Sequence, residues 1–141
     1  MTMKLPTPTR PVLRFRKTSS MAKKCIILGL ESSCDETAAA LVADGQEVLS
    51  STVATQAKLH EKYGGVVPEI AARAHLENLL PVLTETFDQA QVTPGDLDAV
   101  SVAYCPGLTP ALIVAVTAAK TLAWAWQKPL IGVNHVHSHL Q

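Results

Sequence analysis

The sequence predicts an α/β domain on a mixed sheet: three strands in an antiparallel meander, followed by helix, strand, helix and strand. Three observations lead there. Short apolar runs bounded by turn residues fill positions 25–55, a long helical pattern follows from 69 to about 90, and two more short apolar runs at 97–103 and 130–133 flank a second helical stretch. A chain of 141 residues, 48% apolar and only 4% aromatic, suits a single domain with an Ala-, Val- and Leu-rich core.

The first strand is Cys25–Leu30, apolar throughout and therefore read as buried on both faces. It runs into a dense polar corner, Glu31-Ser32-Ser33-Cys34-Asp35-Glu36-Thr37. Ala38–Ala43 is apolar again, Asp44-Gly45 is a hairpin signal, and Glu47–Thr55 resumes as a strand. Carboxylates and hydroxyls at a strand–strand corner are how actin-like ATPases and sugar kinases handle nucleotide phosphates and their metal. A solvated turn favours the same residue types, so local composition leaves both readings open.

Residues 56–68 hold His60 and Tyr63, and the pair Gly64-Gly65 before Val66-Val67-Pro68 marks a flexible connection. Pro68 suits a first helical position, and Ile70, Ala74, Leu76, Leu79, Leu80, Leu83 and Phe87 recur at helical spacing to about Ala90. Pro81 should bend or divide that helix. His75 on it could serve a site or be structural. Leu97–Ala103 is the next strand, ending in Tyr104-Cys105-Pro106-Gly107-Leu108-Thr109-Pro110, a loop whose free N–H groups could hold an anion. Thr109 is the expected N-cap and Pro110 the first residue of a helix over Ala111–Gln127, apolar enough to lie buried between layers. Lys128-Pro129 should stop it, Leu130–Val133 is a last strand, and Asn134 caps a terminal helix. That order of elements is the one found in the ribonuclease-H-like half of an actin-like fold.

The terminal helix carries His135, His137 and His139. His135 and His139 stand four residues apart on one helical face, close enough to grip one metal ion, while His137 points to the other side. Two surface histidines on a solvated face satisfy the same spacing.

Charge and cysteine content narrow the class. Net charge is zero, but positions 1–24 hold Lys4, Arg10, Arg14, Arg16, Lys17, Lys23 and Lys24 without an acid, while every Asp and Glu lies between Glu31 and Asp98. The folded body therefore offers no basic stripe for nucleic acid. Cys25, Cys34 and Cys105 are odd in number and scattered, which argues against a disulfide framework and for a reducing compartment. The longest apolar stretch is broken by Lys120 and Gln127, so no transmembrane run is expected. Residues 1–21, with Pro6, Pro8 and Pro11, read as a basic extension: a tail, an upstream start with Met21 as the working one, or an organellar presequence. The domain proper is placed at 22–141.

Four stretches occur together: Ile27-Leu28-Gly29-Leu30-Glu31-Ser32-Ser33-Cys34-Asp35-Glu36-Thr37, Tyr63-Gly64-Gly65-Val66-Val67-Pro68-Glu69-Ile70-Ala71-Ala72-Arg73-Ala74-His75, Pro106-Gly107-Leu108 and Asn134-His135-Val136-His137-Ser138-His139. In this order they resemble the tRNA adenosine threonylcarbamoyltransferases, formerly described as O-sialoglycoprotein endopeptidases. The resemblance runs from about Lys24 to the C-terminus and covers the first of the family's two actin-like domains.

The resemblance implies transfer of the threonylcarbamoyl group from threonylcarbamoyl-AMP to the exocyclic amine of the adenosine beside the tRNA anticodon. It implies one divalent ion, iron or zinc, held by His135 and His139 together with an Asp of the second domain. It makes Asp35 and Glu36 the acidic residues needed for activity, with Ser32, Ser33, Pro106 and Gly107 in the substrate and nucleotide loops. Implied partners are tRNA, a related non-catalytic actin-like subunit and a P-loop ATPase subunit, in the cytoplasm, or in a mitochondrion or plastid if residues 1–21 are a presequence. No membrane partner is expected.

Two departures stand out. Cys105 replaces a family glycine, and a cysteine would tolerate positive φ poorly there. The chain also ends before the family's Gly-rich nucleotide segment and second-domain Asp, so by itself it is expected to be inactive. Two other readings remain: a non-catalytic binding module pairing with a full-length transferase through helix 111–127, and half of an acetate- or sugar-kinase-like ATPase, which would not carry the histidine pair.

Overall fold

The computed structural model describes residues 23–140, so the extension at 1–21 lies outside the described residues. Strands β1 (Ile26–Glu31), β2 (Glu36–Ala43) and β3 (Glu47–Thr55) form the expected antiparallel meander. Asp44 and Gly45 both take positive φ, 52° and 69°, the backbone that an Asp-Gly hairpin turn requires. After β3 come a single helical turn, α1 (Ala57–His60), and a 3-10 turn at Glu61–Tyr63, which closes at Gly64 in the left-handed region, φ 69°. Then follow α2 (Pro68–Ala90), β4 (Ala99–Cys105), α3 (Thr109–Ala125), β5 (Leu130–Asn134) and the short α4 (His135–Ser138).

The sheet order is β3-β2-β1-β4-β5, with β4 parallel to both β1 and β5. A mixed sheet results because β1–β3 are joined by tight turns, whereas α2 and α3 carry the crossovers that parallel pairing demands. Alternate residues of β1 (Leu28, Leu30), β2 (Ala39, Leu41) and β4 (Val100, Val102) pack against Val82 and Leu83 of α2 and Ala115, Ala119 and Ala123 of α3. The alanines on the buried side of α3 let that helix lie close to the strands. Phe87 and Trp126 close the core edge-to-face, with ring centroids 5.9 Å apart.

Several expectations are corrected. α2 is not divided at Pro81: the proline is exposed, and so is Glu77, whose carbonyl it leaves without its helical donor and which water can serve. The buried face of α2 is Ala71, His75, Val82, Leu83 and Thr86, while Leu76 and Leu80 are 66% and 71% exposed. Thr86 is tolerated inside because its hydroxyl donates to the Val82 carbonyl at 2.7 Å, with the Ala39 carbonyl 3.3 Å away. α3 buries one side only, leaving Trp124 83% exposed. Thr109 lies inside α3 rather than capping it, since Leu112 N–H already donates to Leu108 O. α3 stops before Lys128-Pro129, because Gln127 turns left-handed and the N–H groups of Gln127 and Lys128 close back on Trp124 and Ala123. α2 ends the same way at Gln91. No described helix is long and apolar enough to cross a membrane.

Candidate functional site

Every element of the site meets at one end of the sheet, where β1 and β5 deliver their C-terminal residues side by side across β4. Asn134 caps α4 as expected, its side-chain oxygen accepting from the N–H groups of Val136 and His137 at 3.0 and 3.1 Å. The turn so fixed brings the Nε2 atoms of His135 and His139 to 3.1 Å. His137 stays exposed, outside this pair.

Glu31, the last residue of β1, closes the arrangement. Its Oε2 accepts from His135 Nδ1 at 2.9 Å, and its other oxygen takes the main-chain N–H of Ser33. A small cleft of about 170 Å3 is lined by Glu31, Ser33, Cys34, Asp35, Glu36 and His135. The structure thus gathers Asp35, Glu36 and Ser33 with one of the two histidines. A larger cleft, about 400 Å3, runs from the histidines along the sheet face over Gly29, Ala38, Ala40, Ser101 and Ala103, and both His135 and His139 line it.

The remaining predicted residues support this corner from outside it. Ser32 is fully buried and turned toward α3, donating to Ala111 O at 2.8 Å and accepting from Ala115 N–H at 3.3 Å. It clamps the corner and does not line the cleft. Pro106 and Gly107 lie against its back: Leu108 N–H donates to Ser33 O at 2.8 Å, and a Cβ on Gly107 would stand 2.6 Å from that same oxygen. Glycine is needed here for close approach, so Gly107→Ala must push the two loops apart. The expected cost is about 1–3 kcal/mol of stability, measurable by denaturant melts. Cys105, by contrast, has no positive φ, so the feared strain is absent; its sulfur instead takes the Asn134 amide at 3.5 Å.

Beneath the acidic corner lies a buried polar chain that the sequence left unassigned. The Cys34 carbonyl can only accept, so His75 donates to it from Nε2, at 3.1 Å, and leaves Nδ1 bare. That Nδ1 accepts from the Thr37 hydroxyl at 2.7 Å and the Gln56 amide at 3.3 Å. The Gln56 oxygen takes His60 Nε2–H at 3.1 Å, and His60 Nδ1 takes Val67 N–H at 3.3 Å. Every donor meets an acceptor, and α1, α2 and the Cys34–Thr37 segment are locked together. Burial holds the His75 pKa below the ordinary histidine range, so it stays neutral.

The chemistry available is acid–base and metal binding rather than thiol attack. Burial, the hydrogen bond with Asp35 and the surrounding Asp35, Glu31 and Glu36 charges push the Cys34 thiol up. A thiolate is thereby disfavoured, and nothing in this corner activates Cys34 as a nucleophile. The two imidazoles fit a divalent ion such as zinc or iron: metal–nitrogen bonds of about 2.0–2.1 Å at a tetrahedral angle place ligand nitrogens roughly 3.4 Å apart. They supply two positions, since no group of three ligating side chains exists among the described residues.

Known proteins resemble this chain in both sequence and fold. Residues 47–141 match the family model described as tRNA N6-adenosine threonylcarbamoyltransferase. The protein of that name from Syntrophobacter fumaroxidans is 58% identical over 116 residues, 82% of this chain and 34% of its own length. That from Symbiobacterium thermophilum is 59% identical over 115 residues, with the same shares. The chain thus spans about a third of the length of the relatives it matches. Among solved structures, YeaZ from Pseudomonas aeruginosa superposes with a TM-score of 0.60 at 24% identity, over 78% of this chain and 43% of that one, which shows the shared actin-like fold. A second structure, titled as an uncharacterised protein with similarity to peptidase YeaZ from the same organism, gives 0.61 at 26% identity over the same shares.

Proposed function

Because the chain belongs to the tRNA N6-adenosine threonylcarbamoyltransferase family, we propose that it supplies the histidine-bearing part of an acyltransferase acting on tRNA. The reaction joins the exocyclic amine of the adenosine beside the anticodon to the threonylcarbamoyl carbon of threonylcarbamoyl-AMP. A C–N bond forms, the bond to the phosphate oxygen breaks, AMP leaves, and the amine sheds one proton. The observation that carries the reading is the pair of Nε2 atoms, 3.1 Å apart, in the same corner as Asp35 and Glu36.

His135 and His139 would hold an iron or zinc ion, whose Lewis acidity would polarise the acyl carbonyl and meet the charge on departing AMP. The chain's own residues do the rest. Asp35 or Glu36, which line one cleft with His135, would take up the amine proton. Ser33, held by Glu31 from one side and by the Pro106-Gly107 loop from the other, keeps that corner in one shape. The acidic body offers no track for RNA, so tRNA would be met by partners: the rest of the transferase, a YeaZ-like subunit and a P-loop ATPase, in the cytoplasm. The histidine pair favours this reading over that of a non-catalytic module.

With two metal positions filled from within the described residues and a third of the relatives' length present, the chain alone should be inactive. Incubation with threonylcarbamoyl-AMP and tRNA, read by nucleoside mass spectrometry, should show no threonylcarbamoyladenosine. Measurable product from the purified chain would refute the proposal that further elements complete the site.

A further inference from the structure

We propose that Glu31 is a positioning residue of this centre, setting which nitrogen of His135 is free to bind metal; this rests on the metal-binding reading above. Glu31 arrives at the corner because β1 alternates: Leu28 and Leu30 face the helices, so Ile27, Gly29 and Glu31 face the opposite side, where β5 delivers His135. One carboxylate oxygen stands 2.9 Å from His135 Nδ1 across 104 positions of sequence. A carboxylate can only accept, so Nδ1 carries the proton and Nε2 keeps its lone pair. That lone pair is on the side of His139 Nε2, 3.1 Å away, where a shared ion would sit.

The geometry has a reason to matter. A free imidazole exchanges between two tautomers, and the one with the proton on Nε2 cannot ligate there. A hydrogen bond from the far nitrogen to a carboxylate removes that competition, fixes the ring plane and makes the ligand more basic. Glu31 does this while its other oxygen holds the Ser33 N–H, so the metal histidine and the acidic corner hang from one side chain. Both partners are part-buried, with 33% and 27% side-chain exposure, which keeps water from replacing the contact easily. His139 has no comparable partner among the described hydrogen bonds.

The test uses the whole 141-residue chain and zinc alone. Zinc affinity is measured by competition with a chromophoric chelator for the wild type, Glu31→Leu, Glu31→Ala and His135→Ala. Nitrogen-15 correlation spectra give the His135 tautomer of the metal-free wild type. The expected results are an Nδ1–H tautomer at His135, a loss of about 10- to 100-fold in zinc affinity in both Glu31 variants, and complete loss in His135→Ala. An Nε2–H tautomer at His135 in the wild type overturns the proposal whatever the variants do, including if they fail to fold. So do folded Glu31 variants that bind zinc as the wild type does, and in that outcome the histidine pair keeps its role. A wild type that binds no zinc sinks the metal-binding reading and this inference together.

Discussion

Ala at His135 or at His139 abolishes zinc binding by this chain, whereas His137→Ala leaves it within about twofold of wild type. The expectation follows from the ring nitrogens of His135 and His139, which the fold brings to 3.1 Å. Two imidazoles leave the other coordination positions to water, so wild-type affinity is weak, and removing either ligand leaves a lone histidine with essentially none. α4 is a single turn held by its Asn134 cap, and bound metal should order it further. Equilibrium dialysis with zinc reads the result. Equal losses at all three positions would mean a loose histidine tract rather than a formed site.

His75→Leu should damage the core severely. It strips partners from the Cys34 carbonyl, the Thr37 hydroxyl and the Gln56 amide, all within or beside a fully buried side chain. At about 1–3 kcal/mol for each buried group left unpaired, a loss of about 3–5 kcal/mol is expected, lowering Tm by roughly 10–15 °C. The wild type also acquires a pH dependence here. Burial depresses the folded-state pKa of His75, while the unfolded chain takes up that proton near pH 6.5. The contribution of His75 is therefore whole above about pH 6.5 and shrinks as pH falls below it toward the folded pKa. Calorimetry between pH 7.5 and 5 should show a steeper decline in the wild type than in His75→Gln. Parallel slopes would mean that folding leaves the His75 pKa where the unfolded chain has it.

How legible all this was depends on the kind of signal. The meander, the hairpin at Asp44-Gly45, the Pro68 start of α2 and the Asn134 cap were readable because each depends on residues within a few positions. The exposed face of α2 was misjudged because periodicity counts polarity and not partners: His75 and Thr86 belong inside only once Cys34, Thr37 and Ala39 are there to bond them. Ser32 and Ser33 looked alike in the sequence, yet one hydroxyl clamps α3 and the other residue lines the cleft. Glu31 was passed over because its partner lies 104 residues away and only the β1-β4-β5 order brings them together. Its position on the Ile27, Gly29, Glu31 face was the one available hint, a charge at the end of an otherwise apolar alternation.

The central claim, that this corner is half of a threonylcarbamoyl-transfer centre, is tested most directly by a chimera. The 116 residues of this chain that are 58% identical to the Syntrophobacter fumaroxidans relative replace the matching third of it. Threonylcarbamoyladenosine formed in tRNA is then quantified by mass spectrometry, with the partner subunits and threonylcarbamoyl-AMP supplied. The account predicts product from the chimera and a loss of at least about 100-fold in its His135→Ala and His139→Ala forms, with His137→Ala close to unchanged. Full activity in the folded His135→Ala and His139→Ala chimeras would contradict it.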